Sequence, residues 1–310
     1  DKKFIEKFIN ITSKAALASS YYVGKKDKIA ADKAAVDSMR FELNKLNIKG
    51  RIVIGEGELD EAPMLYIGEE LGTKLGPDLD IAVDPLEGTN FAANNLPGAL
   101  SVIAITEKGN LFNAPETYME KLSTKVKEKY VVDLDYTVKK NIFNLSDYLN
   151  KNPENLTACI LDRPRHKKII NDLKELKVNI KLITDGDVSG ALLVTDKKYN
   201  VDIFLGTGGG PEGVLAASAL DTFECGFQCR FLFDTDVEKK RAKLMGIQDL
   251  DRKYELSEIV SGDSIFCATG ITSGDLVSGI KIDGKNFYSE TLVTHKLSDY
   301  KKIIKIKKEI

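Results

Sequence analysis

Apolar positions change their spacing along the chain in a way that predicts alternating helices and strands. Apolar side chains recur at helical spacing in residues 4–22 and again in residues 31–46. Short apolar runs at residues 52–54, 80–84 and 99–104 are typical of buried strands, and the first two lead into glycine-bearing polar stretches. This pattern predicts an α/β protein.

The second half of the chain repeats one pattern three times. Strands are predicted at residues 157–161, 180–183 and 201–205, and each leads into a polar turn and then a helix. Such units form parallel crossovers, so we expect a doubly wound sheet whose three polar turns emerge at one edge. Residues 133–155 are less clearly patterned and are predicted to connect the two halves.

Two carboxylates lie where the strand predicted at residues 80–84 is expected to break. Pro85 and Gly88 interrupt the strand pattern, and Asp84, Glu87 and the hydroxyl of Thr89 fall at the break. A strand that ends in a carboxylate-bearing turn can hold a metal ion at the edge of a cleft. On this stretch alone, a polar turn in which Asp84 caps the following chain is equally compatible.

Glu56 occupies a comparable place after the preceding strand. Gly55 and Gly57 flank it and allow the tight turn that would bring its carboxylate to the end of the strand, although an ordinary charged surface loop is also compatible. Asp32 is predicted in the first turn of the second helix, where the helix dipole favours a carboxylate. For Asp32 a plain capping role therefore remains open.

The polar turns of the second half carry groups that suit a phosphorylated polyol. Arg163 and Arg165 flank Pro164, and a guanidinium group can bind phosphate through two parallel hydrogen bonds. Asp185 and Asp187 could accept hydrogen bonds from sugar hydroxyls. Taken singly, each of these charged residues is also typical of a surface ion pair.

The composition restricts the classes of partner and metal. The chain has 310 residues and a formal net charge of −2, which gives no electrostatic reason to expect nucleic acid or an anionic membrane as a partner. Its two histidines and four dispersed cysteines disfavour a zinc hydrolase and predict free thiols in a reducing cytoplasm. Carboxylate ligands suit Mg²⁺ or Mn²⁺.

Residues 208–213 match the dinucleotide-binding pattern GxGxxG between a strand and a helix, which raises a nicotinamide-dependent dehydrogenase as an alternative. Two residues argue against it. Pro211 has no amide hydrogen to donate, and Glu212 places negative charge where a pyrophosphate would bind.

Residues 279–285 resemble the start of a phosphate-binding P-loop. Asn286 stands where Ser or Thr is required, and Phe287 continues an apolar strand pattern instead of opening a helix. We therefore predict a hairpin turn at Asp283 and Gly284.

The assembled motifs resemble those of class II fructose-1,6-bisphosphatase. They run in the family's order from about residue 27 to residue 295, whereas the DPLEGT stretch alone is shared loosely with inositol monophosphatases, which more often carry Asp at the position of Glu87. Asn90 departs from the Arg or Thr of similar sequences and could alter substrate preference. The matching stretches are AADKAAVDSMR, VIGEGELDEAPMLYIGEELG, DIAVDPLEGTN, LFNAPETYMEKL, DRPRH, DGDV, GGGPEGV and FCATGITSGDL.

The resemblance implies a layered αβαβα sugar-phosphatase fold. A mixed or antiparallel N-terminal sheet and a mostly parallel C-terminal sheet are expected, in halves 1–155 and 156–310 that pack as one catalytic unit. Carried over by position, the Mn²⁺ or Mg²⁺ ligands would be Asp32, Glu56, Asp84, Glu87 and Glu212, and the catalytic residues Asp84, Glu87 and Thr89. The substrate site would comprise Glu87, Gly88, Thr89, Tyr118, Arg163, Pro164, Arg165, Asp185, Gly186, Asp187 and Gly209.

The activity that the resemblance implies is metal-dependent hydrolysis of the 1-phosphate of fructose 1,6-bisphosphate, a step of gluconeogenesis. Two metal ions and an attacking water would carry the reaction. A sedoheptulose-1,7-bisphosphatase, or an enzyme for both sugars, is the nearest alternative, and a sugar-phosphate-binding protein is the alternative outside the enzymes. A cytoplasmic homo-oligomer, a dimer or a tetramer, with a small sugar bisphosphate as its ligand is expected.

Overall fold

The computed structural model describes residues 2–57 and 64–310, with side chains from Phe4 onward. Residues 58–63 of the second matching stretch lie outside the described part. Contacts divide the chain into a first unit, Asp1–Asn113 with Val260–Ile310, and a second unit, Ala114–Ile259.

Helices and strands alternate through most of the described chain, which confirms the predicted α/β class. The elements before the second unit are α1 (Lys2–Ser20), α2 (Lys28–Leu43), β1 (Lys49–Ile54), β2 (Glu70–Leu71), β3 (Asp78–Glu87), α3 (Thr89–Ala93) and β4 (Leu100–Glu107). The second unit contains β5 (Tyr118–Thr124), α4 (Val138–Leu149), β6 (Thr157–Leu161), α5 (Lys167–Glu175), β7 (Asn179–Ile183), α6 (Asp187–Leu192), β8 (Ile203–Gly209), α7 (Gly210–Thr222), β9 (Gly226–Leu232), α8 (Asp236–Leu244), β10 (Lys253–Glu255) and α9 (Leu256–Ile259). The first unit resumes with β11 (Ser264–Gly270), β12 (Lys281–Asp283), β13 (Asn286–His295) and β14 (Tyr300–Glu309).

The sheet of the first unit is mixed, as predicted. Its strand order is β12-β13-β11-β4-β3-β1-β2, with β14 paired to β13. Only β1 and β3 run parallel among the described pairings, and the other neighbours are antiparallel. Helix α1 packs on β3, β4, β11 and β13, and α2 packs on β3, so Phe8 and Met39 meet Ile52 and Ile81 in one apolar core. This packing holds the ends of β1 and β3 in place.

The sheet of the second unit is less parallel than predicted. Its order is β10-β9-β5-β8-β6-β7, and only β6, β7 and β8 pair in parallel. Strand β5 lies between β8 and β9 and is antiparallel to both, because the crossover from β8 through α7 to β9 passes over it. The three predicted strand-turn-helix units are present. The antiparallel pairings of this sheet involve β5, β9 and β10, which are not among the three predicted strands.

The unit boundaries differ from the predicted halves. The expected division between residues 155 and 156 falls inside the second unit, because β5 pairs with β8 and β9. The first unit includes residues 260–310, because β11 returns to pair with β4. Residues 133–155 are not only a connection, since they contain α4, which begins where the hydroxyl of Thr137 accepts a hydrogen bond from the amide of Lys140 at 3.2 Å.

One smaller expectation, the hairpin turn, is confirmed by the strand pairing. Asp283 pairs with Asn286 across a hairpin turn that contains Gly284 at φ 59°, so residues 279–285 do not form a P-loop. No helix in the described residues is both long enough and apolar enough to cross a membrane.

Candidate functional site

A β-bulge shapes the carboxylate-bearing end of β3. Asp84 pairs with Val102 and Glu87 with Leu100, so β3 carries one extra residue between these two pairs. The strand therefore continues through Pro85, where a break was predicted, because a bulge tolerates a residue that has no amide hydrogen. Glu87 is buried at 3% exposure.

Gly88 turns the chain from β3 into α3. Its φ of 79° lies in the left-handed region, and an added Cβ would come within 2.9 Å of the Phe91 ring. Thr89 is the first residue of α3 and is partly exposed. The bulge and the glycine together determine where Glu87 and the Thr89 hydroxyl lie.

Glu56 follows β1 at the same sheet edge as the end of β3. Ile54 pairs in parallel with Ala82, so Glu56 and Asp84 each lie two residues beyond a paired position. The Glu56 amide donates a hydrogen bond to the Leu65 carbonyl at 3.0 Å. A Cβ at residue 55 would overlap that same carbonyl oxygen, so the turn requires glycine there.

Asp32 is not the cap of α2. Asp27 takes that role, since its Oδ1 accepts a hydrogen bond from the Ala30 amide at 2.9 Å. Asp32 lies in the next turn and is partly exposed, and desolvation raises the pKa of its carboxyl group. The capping interpretation is thereby removed, while the proposed metal-binding role of Asp32 stays a prediction.

The described residues contain no group of three or more His, Cys, Asp or Glu side chains that could hold a metal ion. The five-carboxylate ligand set implied by the resemblance therefore remains a prediction. The chemistry of the donors still distinguishes between metals, because carboxylate oxygens suit Mg²⁺ or Mn²⁺ better than Zn²⁺.

In the second unit, two glycines at the end of β8 leave room for two carboxylates. A Cβ at Gly208 would overlap the carboxylate of Asp187, and one at Gly209 would overlap that of Glu212. Pro211 and Glu212 lie in the first turn of α7. The carboxylate of Glu212 therefore occupies the position next to the glycines that a pyrophosphate would need, which removes the structural basis of a dinucleotide site.

Asp187 begins α6 and is one of the buried charges of the second unit. The preceding Gly186 has a left-handed φ of 83°, and Asp187 itself is 7% exposed. Its Oδ2 accepts a hydrogen bond from the ammonium group of Lys121, a residue of β5 that is 1% exposed. The same ammonium donates to the Gly209 carbonyl at 2.6 Å.

Sequence reasoning missed Lys121. Its partner Asp187 is 66 residues away in the chain, so no local motif joins the two. The available signal was the alternation that puts Lys121 on the same inward face of β5 as Met119, a placement that proteins avoid for a lysine unless its charge is paired. Burial raises the pKa of Glu212, whereas the nearby charge of Lys121 lowers it.

The two predicted arginines are partly tied to backbone carbonyls. Arg163 donates from Nη1 to the Thr184 carbonyl at 2.7 Å, and its Nη2 lies 4.0 Å from Oδ1 of Asp185. Arg165 donates from Nε and Nη2 to the Thr207 carbonyl at 3.0 and 2.7 Å. The structure thus anchors each guanidinium group at a polar turn of this unit.

Tyr118 contacts Arg165 and lies at the exposed side of this group of residues. The guanidinium carbon of Arg165 lies 4.8 Å from the centre of the Tyr118 ring, and 49% of Tyr118 is exposed. Tyr118 pairs with Gly209 across the β5–β8 register. The substrate-site residues predicted from Tyr118 to Gly209 therefore surround the polar ends of neighbouring strands.

His166 is a second residue that sequence reasoning did not assign. It is 1% exposed, its Nε2 accepts a hydrogen bond from the Thr207 amide at 2.7 Å, and its Nδ1 lies 2.7 Å from the Leu161 carbonyl. These partners require a neutral ring with its proton on Nδ1. Burial lowers the pKa of His166, which agrees with that state.

Comparison with known proteins identifies the family. A family described as "Bacterial fructose-1,6-bisphosphatase, glpX-encoded" matches residues 2–308. A relative from Synechococcus sp. (strain JA-3-3Ab), named D-fructose 1,6-bisphosphatase class 2/sedoheptulose 1,7-bisphosphatase, is 40% identical over 94% of this chain and 92% of its own. A relative of the same name from Microcystis aeruginosa is 41% identical over 92% of this chain and 90% of its own.

Among solved structures, the extragenic suppressor protein suhB from Bartonella henselae matches 62% of this chain and 72% of its own at 12% identity, with a TM-score of 0.35. That similarity is too distant to carry an argument. The match over residues 2–308 and the relatives at about 40% identity agree with one another. The chain belongs to the glpX-encoded bacterial fructose-1,6-bisphosphatases, a family of phosphoric monoester hydrolases.

Proposed function

We propose that this protein hydrolyses the 1-phosphate ester of fructose 1,6-bisphosphate and releases fructose 6-phosphate and inorganic phosphate. The family match over residues 2–308 is the observation that carries this proposal. The carboxylates of the first unit and the charged turns of the second supply the chemistry that such a reaction requires.

Divalent cations, Mg²⁺ or Mn²⁺, would supply charge neutralisation at the phosphoryl group and a more acidic water when bound. Asp84 and Glu87 on the bulged end of β3, with Asp32 and Glu56 in the same unit, would hold them. Glu212, which the resemblance also implies as a ligand, stays a prediction. The donor set fits, because Mg²⁺ is commonly held by one or two carboxylates while waters and substrate phosphate complete the coordination.

Thr89 would orient the attacking water through its hydroxyl group. Its place at the first position of α3, directly after the left-handed Gly88, presents that hydroxyl at the end of β3. The Thr89→Val variant should lose about 30- to 150-fold in kcat, equivalent to about 2–3 kcal/mol of barrier, with a smaller change in KM. Thr89→Ser keeps the hydroxyl and should recover most of the rate in the same phosphate-release assay. Equal kcat in Thr89→Val and the wild type would remove Thr89 from the reaction.

The second unit would bind the parts of the substrate that do not react. Arg163 and Arg165 would hold the distal phosphate, and Asp185 and Asp187 would accept hydrogen bonds from sugar hydroxyls. The backbone anchors of both guanidinium groups reduce the entropy lost when a phosphate binds. Accurate placement of the reacting ester would then account for part of the rate acceleration.

A dual activity toward sedoheptulose 1,7-bisphosphate is the second candidate. The names of the relatives from Synechococcus and Microcystis include both sugars, which favours testing it. Phosphate release from each bisphosphate, with Mg²⁺, with Mn²⁺ and with a chelator, addresses substrate and metal together. Release from fructose 1,6-bisphosphate that a chelator abolishes supports the proposal, and no release with either cation contradicts it.

We also propose a cytoplasmic location for this enzyme. The four cysteines are free thiols and all are buried, which suits a reducing compartment. The homo-oligomeric state implied by the family resemblance stays a prediction that sedimentation of the purified protein would check.

A further inference from the structure

Lys121 is a lysine enclosed within the second unit. Only 1% of its side chain is exposed, and its stem passes beneath the first turn of α7, where a Cβ on Gly213 would lie 3.1 Å from its Cδ. A Cβ there would also overlap the sulfur of Met119. A buried ammonium is costly unless it is paired, so its partners indicate what the charge stabilises.

The ammonium group of Lys121 links the start of α6 to the end of β8. It donates to Oδ2 of Asp187, at the start of α6, and to the carbonyl of Gly209, at the junction of β8 and α7. These acceptors belong to two successive crossover units that carry neighbouring polar turns. One charge therefore determines how the Asp187 carboxylate is oriented relative to the glycine turn.

The two carboxylate oxygens of Asp187 have different surroundings. Oδ2 is bound to Lys121, whereas Oδ1 is buried and accepts no hydrogen bond from any residue in the described ranges 2–57 and 64–310. A buried carboxylate oxygen without a donor is unfavourable, so a small movement of this 7% exposed side chain that brings Oδ1 to a ligand hydroxyl is favoured. A neutral hydroxyl is the fitting donor, because a phosphate oxygen would meet this carboxylate with charge of the same sign.

We propose that Lys121 is a positioning residue for sugar binding, which holds Asp187 by Oδ2 so that Oδ1 accepts a hydrogen bond from a sugar hydroxyl. This inference rests on the proposed function, in which Asp187 contacts the sugar. Lys121 acts through Asp187 and does not itself touch the substrate. Its effect is therefore confined to ligands that carry the sugar.

Calorimetric titration of the intact protein with fructose 6-phosphate and, separately, with inorganic phosphate tests this role without turnover. Lys121→Met keeps the length of the stem and removes the charge, and it should weaken fructose 6-phosphate binding by about 10- to 100-fold. Binding of inorganic phosphate should stay within about twofold. The matched control is Lys125→Met, because exposed Lys125 also donates to a backbone carbonyl, that of Phe223 at 2.6 Å.

A double-mutant cycle separates positioning from simple stabilisation. Asp187→Asn should weaken fructose 6-phosphate binding, and adding Lys121→Met should cause little further loss, since the proposed effect of the lysine on sugar binding runs through that carboxylate. Losses that multiply in the double variant would overturn the proposal, as would unchanged binding in Lys121→Met. If Lys121→Met does not fold, the comparison of Asp187→Asn with the double variant, which buries neither charge, still decides the question.

Kinetics distinguish failure of this inference from failure of the proposed function. A wild-type protein that releases no phosphate from fructose 1,6-bisphosphate contradicts the function itself. If the wild type is active, Lys121→Met should raise KM more than it lowers kcat. A loss in kcat alone, with KM and fructose 6-phosphate affinity unchanged, contradicts the positioning role.

Discussion

The two units position their charged groups by different physical means. In the first unit the backbone does so: a bulge at Pro85, a left-handed turn at Gly88 and a close approach at Gly55 determine where the carboxylates lie. In the second unit Gly208 and Gly209 leave room for two carboxylates, but side chains hold the charges, through the bonds of Lys121 to Asp187 and of His166 to the Thr207 amide. The carboxylate positions of the first unit are therefore most sensitive to substitution of glycines, and those of the second unit to loss of buried charges and hydrogen bonds.

Loss of one carboxylate on β3 should produce the largest loss of catalytic activity among the variants. Asp84→Asn keeps the shape of the bulge and removes a charge, so we expect kcat/KM to fall by about 100-fold or more while the melting temperature changes little. Asp78→Asn, at the exposed start of the same strand, is the matched control and should keep full activity. Comparable phosphate release in the two variants would contradict a role for the end of β3 in the chemistry.

A comparison of two glycine substitutions tests how far the backbone determines the positions of the carboxylates in the first unit. Gly88→Ala and Gly109→Ala both place a side chain at positive φ, 79° and 90°, which costs about 1–2 kcal/mol from the backbone alone. Only the first also meets the Phe91 ring, whereas the Cβ at residue 109 has open space. Denaturant unfolding should show the greater loss of stability for Gly88→Ala, and only that variant should also lose activity. Equal losses of stability and activity would show that the left-handed turn at Gly88 has no special role.

We expect the smallest effect, a pH-dependent change in melting temperature, when the hydrogen bonds of His166 are removed. Because burial lowers its pKa in the folded protein below the ordinary 6.5, the unfolded chain takes up a proton first as pH falls. His166 therefore contributes stability above about pH 6.5 that is lost at lower pH. The melting temperature of the wild type should exceed that of His166→Gln by more at about pH 8 than at about pH 5.5.

The control is the other histidine of the chain. His295→Gln retains His166 and should keep the additional loss of melting temperature at low pH. A His166→Gln variant whose melting temperature follows that of the wild type at every pH would show that the neutral ring contributes nothing to pH-dependent stability. The bond of His166 to the Thr207 amide would then have no part in the pH-dependent stability of the second unit.

Elements with a clear local pattern were predictable. The strand predicted at residues 157–161 coincides with β6, and the hairpin turn at Gly284 lies where Asp-Gly indicated it. The persistence of β3 through Pro85 was not predictable, because a bulge depends on the partner strand β4. Proline and glycine show that the backbone departs from regularity, but not which irregular form it takes.

The candidate site also contains residues whose positions could be predicted from local sequence and residues whose positions could not. The place of Glu56 after an apolar strand was predictable, whereas Asp84 lies within β3, because that strand continues through Pro85. The parallel pairing of β1 with β3 brings both residues to one edge of the sheet. Lys121 and His166 were not predictable, because their partners depend on the tertiary fold. His166 lies beside the recognised arginine turn, but its bond to Thr207 spans 41 residues.

The divided first unit has a consequence for how the chain becomes folded during synthesis. Strand β4 pairs with β11, so the sheet of this unit lacks an inner strand until residues 260–310 have been made. The second unit is continuous in sequence, and all its strands are available before β11 is synthesised. On the ribosome the inserted unit can therefore complete its core first, while β4 presents an unpaired edge that is open to association with other chains. The emergence of β11 closes that edge and ends this period of aggregation risk.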